Sequence, residues 1–138
     1  RTLRHHKNLT LMMCDIDHFK RVNDKFGHDV GDDVITQVGQ LFDRALRKQD
    51  TVARWGGEEF LFLLPETTQE QAFTLTEKLR AQVSKQQYQA DSNSFTVTVS
   101  LGIYQMHPQD SVDHAISRAD TNLYRAKSNG RNCSIKSD

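Results

Sequence analysis

The chain has 138 residues, 36% hydrophobic and 26% charged, a size and balance that suit one soluble folded domain and exclude a disordered segment. Its 18 Lys and Arg stand against 18 Asp and Glu, so the net charge is zero and the broad basic footprint of a protein that grips a nucleic acid polymer is missing. The longest apolar runs, such as Leu11-Met12-Met13-Cys14, are far too short to cross a bilayer.

In chain order, Leu9 to Asp15 reads as a strand apolar on both faces, hence central and buried. A short helix follows over His18 to Lys25 and ends at Gly27. A longer helix over about Asp29 to Arg47 carries one buried stripe of Val30, Val34, Val38, Leu41 and Ala45. Thr51 to Trp55 and Glu59 to Leu64 are strands joined by Gly56-Gly57-Glu58, a hairpin in which glycine is expected to supply the positive φ of a tight turn. Gln69 to Gln86 is an amphipathic helix, and Phe95 to Ile103 alternates as a half-exposed strand. Val112 to Ala126 is a last helix and Cys133 to Lys136 a short edge strand. The order β-α-α-β-β-α-β-α-β predicts an α/β domain with a mixed central sheet flanked by helices, since the hairpin forces an antiparallel pair.

The two cysteines, Cys14 and Cys133, lack CxxC spacing, and the six histidines show no metal-binding spacing. A buried Cys14 thiol fits a reducing compartment. The chain opens at Arg1 with no signal-peptide pattern, which reads as a piece of a longer protein.

A neutral whole can still hold a strongly charged site. The first strand ends in Asp15-Ile16-Asp17, and residues two apart on a strand share a face, roughly 6.6–6.8 Å apart. Two carboxylates at a strand end suit Mg²⁺, which takes one or two carboxylates plus substrate phosphates. Asp17 is equally readable as the N-cap of the next helix, whereas Asp15 ends a buried strand and needs a counter-charge. Glu58 and Glu59 follow the double glycine, so they are either a solvated turn or an acidic tip beside an acidic strand end, as in metal-assisted phosphoryl transfer. Lys127 and Arg131 flank Gly130 near the last helix's end, where they either complement the helix dipole or bind phosphate as point charge and planar fork. The inventory points to Mg²⁺, a triphosphate and phosphoryl or nucleotidyl transfer, without naming the base.

Arg54-Trp55-Gly56-Gly57-Glu58-Glu59-Phe60 resembles the signature of GGDEF-domain diguanylate cyclases, in its GGEEF form. Asp15-Ile16-Asp17-His18-Phe19-Lys20, Asn23-Asp24, Gly27-His28 and Gly31-Asp32 resemble the family's D-I-D-x-F-K-x-x-N-D-x-x-G-H-x-x-G-D block. Val97 to Gly102 is similar to its V-T-V-S-x-G strand. Ala119-Asp120, Leu123-Tyr124, Ala126-Lys127 and Gly130-Arg131-Asn132 resemble its closing block. The family's opening D-x-L-T-x-L-x-N-R segment has no counterpart. Arg1 to Lys7 looks like the tail of the helix after it, and truncation of residues 1–138 from a longer parent is the expectation.

The resemblance implies a nucleotidyl-cyclase or polymerase-palm-like GGDEF fold and the condensation of two GTP into cyclic di-GMP and two pyrophosphates. It implies that Asp15, the Ile16 carbonyl and Glu58 hold Mg²⁺, with Mn²⁺ able to substitute, and that Glu58 takes the ribose 3′-hydroxyl proton. Phe19 and Lys20, with the amides of the His18–Lys20 turn, and Lys127 and Arg131 would bind phosphates. Asn23 and Asp32 would read guanine, with His28 near the nucleotide. Asp32 suits guanine because a carboxylate accepts from N1–H and N2–H₂, where adenine offers an acceptor. Arg47-Lys48-Gln49-Asp50 resembles the family's R-x-x-D product-inhibition site for cyclic di-GMP, though Arg47 also reads as a cation closing a helix. The resemblance further implies a regulated homodimer, an N-terminal sensory domain in the parent, and a cytoplasmic location with the parent either soluble or membrane-tethered. A catalytically silent module that binds GTP or cyclic di-GMP is the alternative of another class.

Overall fold

The computed structural model describes residues 8–138, and the helix tail read into residues 1–7 lies outside them. Strand β1 (Leu9–Ile16) leads into α1 (Phe19–Phe26) and α2 (His28–Ala45). Gly27, at φ 95°, ends α1 and opens α2, a backbone conformation that L side chains rarely adopt. The hairpin β2 (Thr51–Arg54) and β3 (Glu59–Pro65) follows, then α3 (Gln69–Lys85). Thr68 and Gln71 form a reciprocal capping box at the start of α3. A two-stranded ribbon of β4 (Tyr88–Ala90) and β5 (Asn93–Phe95) precedes β6 (Val99–Gln105), α4 (Val112–Ser128) and β7 (Ser134–Lys136).

The main sheet has the order β2-β3-β1-β6-β7. Strand β1 is antiparallel to both β3 and β6, and β7 runs parallel to β6 at the edge. The expected mixed sheet is therefore present, with β1 at its centre and buried on both faces. Met12, Cys14 and Ile16 point to a core shared with Val34, Val38 and Phe42 of α2 and Leu79 and Val83 of α3. Leu11 and Met13 point the other way, onto Ala115, Ala119 and Leu123 of α4. This alternation is the two-residue period of a strand covered on both sides. Helix α4 lies against bare backbone at Gly102, where a Cβ would sit 2.2 Å from the Ala119 carbonyl oxygen.

Four local expectations need correction. The strand expected over Phe95 to Ile103 is two elements: Phe95 belongs to the ribbon, where it stacks on Phe26 at 4.4 Å, and β6 begins only at Val99. Strand β6 is buried on both faces rather than half-exposed, because α4 covers the face of Gly102 and Tyr104 and the Ser100 hydroxyl on that face turns toward a buried carboxylate instead of water. Neither Gly56 nor Gly57 has a positive φ, so the turn does not use the left-handed freedom of glycine. Helix α2 stops at Ala45 because Leu46 is extended (φ −90°, ψ 154°), which leaves Arg47 beyond the helix rather than closing it.

Candidate active site

Because β1 is antiparallel to both neighbours, its C-terminal end meets the first residues of β3 and β6. Asp15 pairs with Glu59 on one side and Ser100 on the other. The Ile16 amide donates to the Glu58 carbonyl at 3.3 Å, which pins the hairpin tip to the strand end. Arg54 Nε donates to the carbonyls of Gly56 and Gly57 at 3.3 and 2.9 Å and closes that tip from within. An open cleft of about 330 Å³ results, lined by Asp15, Ile16, Phe19, Lys20, Glu58, Lys127 and Arg131 among others. Seven residues assigned from the sequence thus converge on one place.

Asp15 is 4% exposed and its Oδ2 accepts from the Lys127 ammonium. Its Oδ1 is buried and has no hydrogen-bond partner among the described residues. Burial pushes the Asp15 carboxyl up to about 6, against the pull of Lys127 and with a further push from Glu58 and Glu59. Burial works to lower Lys127, but Asp15 and the two glutamates outweigh it and hold the ammonium above its usual value. Glu59 is raised by burial first and by Asp120 and Glu58 next. The centre is an acidic cluster with one cation in it, short of positive charge.

An orphaned buried carboxylate oxygen beside a second carboxylate is a fit for a hard divalent cation. Among the described residues no three His, Cys, Asp or Glu side chains form a ready-made cage.

Asp17 does something the sequence did not suggest. The N-cap of α1 is His18 in a left-handed conformation (φ 56°), with no side-chain cap. Asp17 instead accepts from Thr98 Oγ1 at 2.7 Å, Ser100 Oγ at 2.6 Å and the Asn132 amide at 3.0 Å. It is a buried brace. With no capping side chain, the first turn of α1 offers its amides to the cleft, where a helix N-terminus favours an anion. Lys20 is exposed and donates to Asp24 at 2.8 Å, a weak surface pair that a phosphate can displace.

The other assigned residues stand apart from this cleft's lining. Asn23 on α1 lies over Gly31 of α2, where a Cβ would meet its Oδ1 at 1.9 Å, so the two helices approach closely at that point. Asp32 is exposed and sits in the second turn of α2, since the helix starts at His28 and Asp29 takes the first-turn place. His28 is exposed as the first residue of α2.

Arg47 and Asp50 flank a separate pocket of about 280 Å³, at the end of β2 away from the Gly56-Gly57 turn. Arg47 forks onto Asp50 at 3.0 and 3.1 Å and also donates to the Pro65 carbonyl and Thr67 Oγ1. The pair is therefore already engaged within the chain.

No helix among the described residues is long and apolar enough to cross a membrane. A family profile described as "Diguanylate cyclase, GGDEF domain" matches residues 1–133. The chain is 40% identical over 126 residues to the diguanylate cyclase DgcM of Escherichia coli K12, covering 91% of this chain and 30% of DgcM. Its fold matches the diguanylate cyclase SiaD of Pseudomonas aeruginosa, solved in complex with its activator SiaC (TM-score 0.93, 36% identity, 97% of this chain and 52% of that one). It also matches the GGDEF domain of DgcB from Caulobacter crescentus in complex with c-di-GMP (TM-score 0.90, 35% identity, 94% and 77%). The chain spans roughly a third or less of the length of the curated relatives it matches.

Proposed function

The chain belongs to the GGDEF family of diguanylate cyclase domains, and from that premise we propose that it condenses two GTP into cyclic di-GMP and two pyrophosphates. The observation that carries this reading is the convergence of Asp15, Glu58, Lys127 and Arg131 on one cleft at the common end of β1 and β3.

Asp15, the Ile16 carbonyl and Glu58 would hold Mg²⁺, or Mn²⁺ in its place. The cation supplies neutralisation of phosphate charge and polarisation of the phosphorus centre. Lys127 and Arg131 bind the triphosphate as a point charge and a fork, and the amides of the His18–Lys20 turn, with Lys20, add donors where charge builds. Glu58 accepts the proton of the attacking ribose 3′-hydroxyl, which frees that oxygen to bond to the α-phosphorus as pyrophosphate leaves. One cleft holds one GTP, so two copies must face each other across a two-fold axis for each 3′-hydroxyl to reach the other nucleotide. A sensory domain in a longer parent, whether soluble or membrane-tethered, would then control activity by controlling pairing of a cytoplasmic catalytic domain.

The test is incubation with GTP and Mg²⁺ followed by chromatography of products. Cyclic di-GMP and pyrophosphate, with turnover per chain rising with protein concentration, support the reading. GTP binding without product over a wide concentration range would instead support a silent regulatory module.

Asn23 and Asp32 would select guanine, with His28 beside the nucleotide. Asp32→Ala is expected to weaken GTP binding about 10- to 100-fold, since a hydrogen bond to a charged group contributes roughly 1.5–3 kcal/mol. ATP binding should hardly change. Calorimetry with both nucleotides checks this, and equal losses for the two would refute guanine selection at Asp32.

Arg47 and Asp50 are proposed to bind the product and inhibit the enzyme away from the cleft. Arg47 would exchange its bonds to Asp50 and Thr67 for a phosphate or a guanine edge. Arg47→Ala is expected to raise the product concentration for half-inhibition at least tenfold, with the initial rate little altered. An unchanged inhibition curve would reduce the pair to a structural tie.

A further inference from the structure

Gly130, Arg131 and Asn132 have φ angles of 104°, 65° and 50°, three successive residues in the left-handed region. Two of them are not glycine, and each such residue costs about 1 kcal/mol or more. The segment needs holding from outside. Part of the hold is backbone: the Arg131 amide donates to the Ala126 carbonyl at 3.0 Å, and the Asn132 amide reaches Asp17 and Ser100.

The rest comes from α3, a helix that lines no part of the cleft. Arg80 Nη1 donates to Asn132 Oδ1 at 2.9 Å, across 52 residues of sequence. Its Nη2 and Nε meanwhile fork onto the two carboxylate oxygens of Glu77, at 2.7 and 3.3 Å. A planar guanidinium gripped on one edge by a carboxylate cannot swing freely, so its Nη1 is aimed at Asn132. An ordinary surface pair one helical turn apart would end at Glu77.

We propose that Arg80 is a positioning residue: oriented by Glu77, it clamps Asn132 and thereby sets Arg131 at the mouth of the cleft. The clamp itself stands on geometry alone, while its consequence for phosphate binding rests on the reading of the cleft as a GTP site. The two are separable by experiment.

Hydrogen exchange on the ligand-free protein tests the clamp. Arg80→Ala should speed exchange of the Arg131 and Asn132 amides about tenfold or more, leaving core amides such as those of Met12 and Ile103 unchanged. Arg80→Lys should behave like the alanine variant, because an ammonium cannot fork onto Glu77 and reach Asn132 together. Unchanged exchange at Arg131 and Asn132 would overturn the proposal. A double-mutant cycle on GTP affinity tests the consequence. Arg80→Ala should weaken GTP about 5- to 10-fold in the parent and scarcely at all in an Arg131→Ala background. Equal losses in both backgrounds would show a general structural effect and overturn the positioning role. A parent that binds no GTP would overturn the nucleotide reading of the cleft, with the exchange result still deciding the clamp.

Discussion

Glu58→Gln is expected to cut cyclic di-GMP synthesis by about 10²–10⁴-fold or more, the range lost when a positioned general base alone is removed. The amide keeps the shape of the side chain but loses the charge a divalent cation needs and the basicity that takes the 3′-hydroxyl proton. The fold should survive, because the hairpin is pinned through the Glu58 backbone carbonyl, which accepts from the Ile16 amide and is untouched by the substitution. Product chromatography with GTP and Mg²⁺, beside a thermal melt, decides the matter. Turnover within a factor of two of the parent would remove Glu58 from the chemistry.

Lys127→Met should produce the largest loss of stability among the cleft residues. It leaves the Asp15 carboxylate buried beside Glu58 and Glu59 without its counter-charge. Breaking a fully buried pair costs about 3–5 kcal/mol, and the partial exposure of Lys127 brings the expectation at pH 7.5 to about 2–3 kcal/mol. The loss depends on pH with a definite sign. Burial already raises Asp15 from the usual 3.8 to about 6, so the native state binds more protons than the unfolded chain between those values. The stability this gives is present in full below about 4 and is lost as pH rises through 6. Removing Lys127 lifts Asp15 further and extends the decline to higher pH. Urea midpoints of parent and variant should therefore converge near pH 4 and separate above pH 6. A constant gap across that range would mean that Lys127 contributes packing and no charge. Added Mg²⁺ should restore part of the loss, since it supplies the missing positive charge.

Asp15, Glu58, Lys127 and Arg131 were legible in the sequence because each is spelled out in a short motif whose local context is informative. A carboxylate ending a doubly apolar strand must have a partner, and a basic residue 112 positions on supplies it. Asp17 is neither the helix cap nor a cleft-facing partner of Asp15 that its position allowed, because its hydroxyl partners, Thr98 and Ser100, lie more than 80 residues away and no local pattern announces them. Thr96, Thr98 and Ser100 alternate with apolar residues and imitate a solvent face, although only Ser100 belongs to β6. The ribbon of β4 and β5 escaped because three-residue strands hold a single alternation. Gly56 and Gly57 announced a turn correctly and its backbone conformation wrongly. Only Gly57 faces open space, since a Cβ there would meet nothing within 4 Å, whereas one on Gly56 would lie 3.1 Å from Glu59 Oε1. The Arg80 clamp had no sequence signal beyond a Glu three residues before an Arg, a spacing common on any helix surface.

Joining residue 15 to residue 127 closes a long loop. Closing so long a loop carries an entropic cost, which the packing of α4 on β6, its neighbour in sequence, helps to offset. Without α4, Asp15 would face the two glutamates with only Lys20 and Arg21 of α1 lining the same cleft, a poorer setting for an anion. When α4 settles onto the bare backbone at Gly102, Lys127 and Arg131 arrive together and offset part of that negative charge. A copy with α4 detached is thereby expected to hold an anion poorly, which couples the proposed binding site to the seating of a single helix.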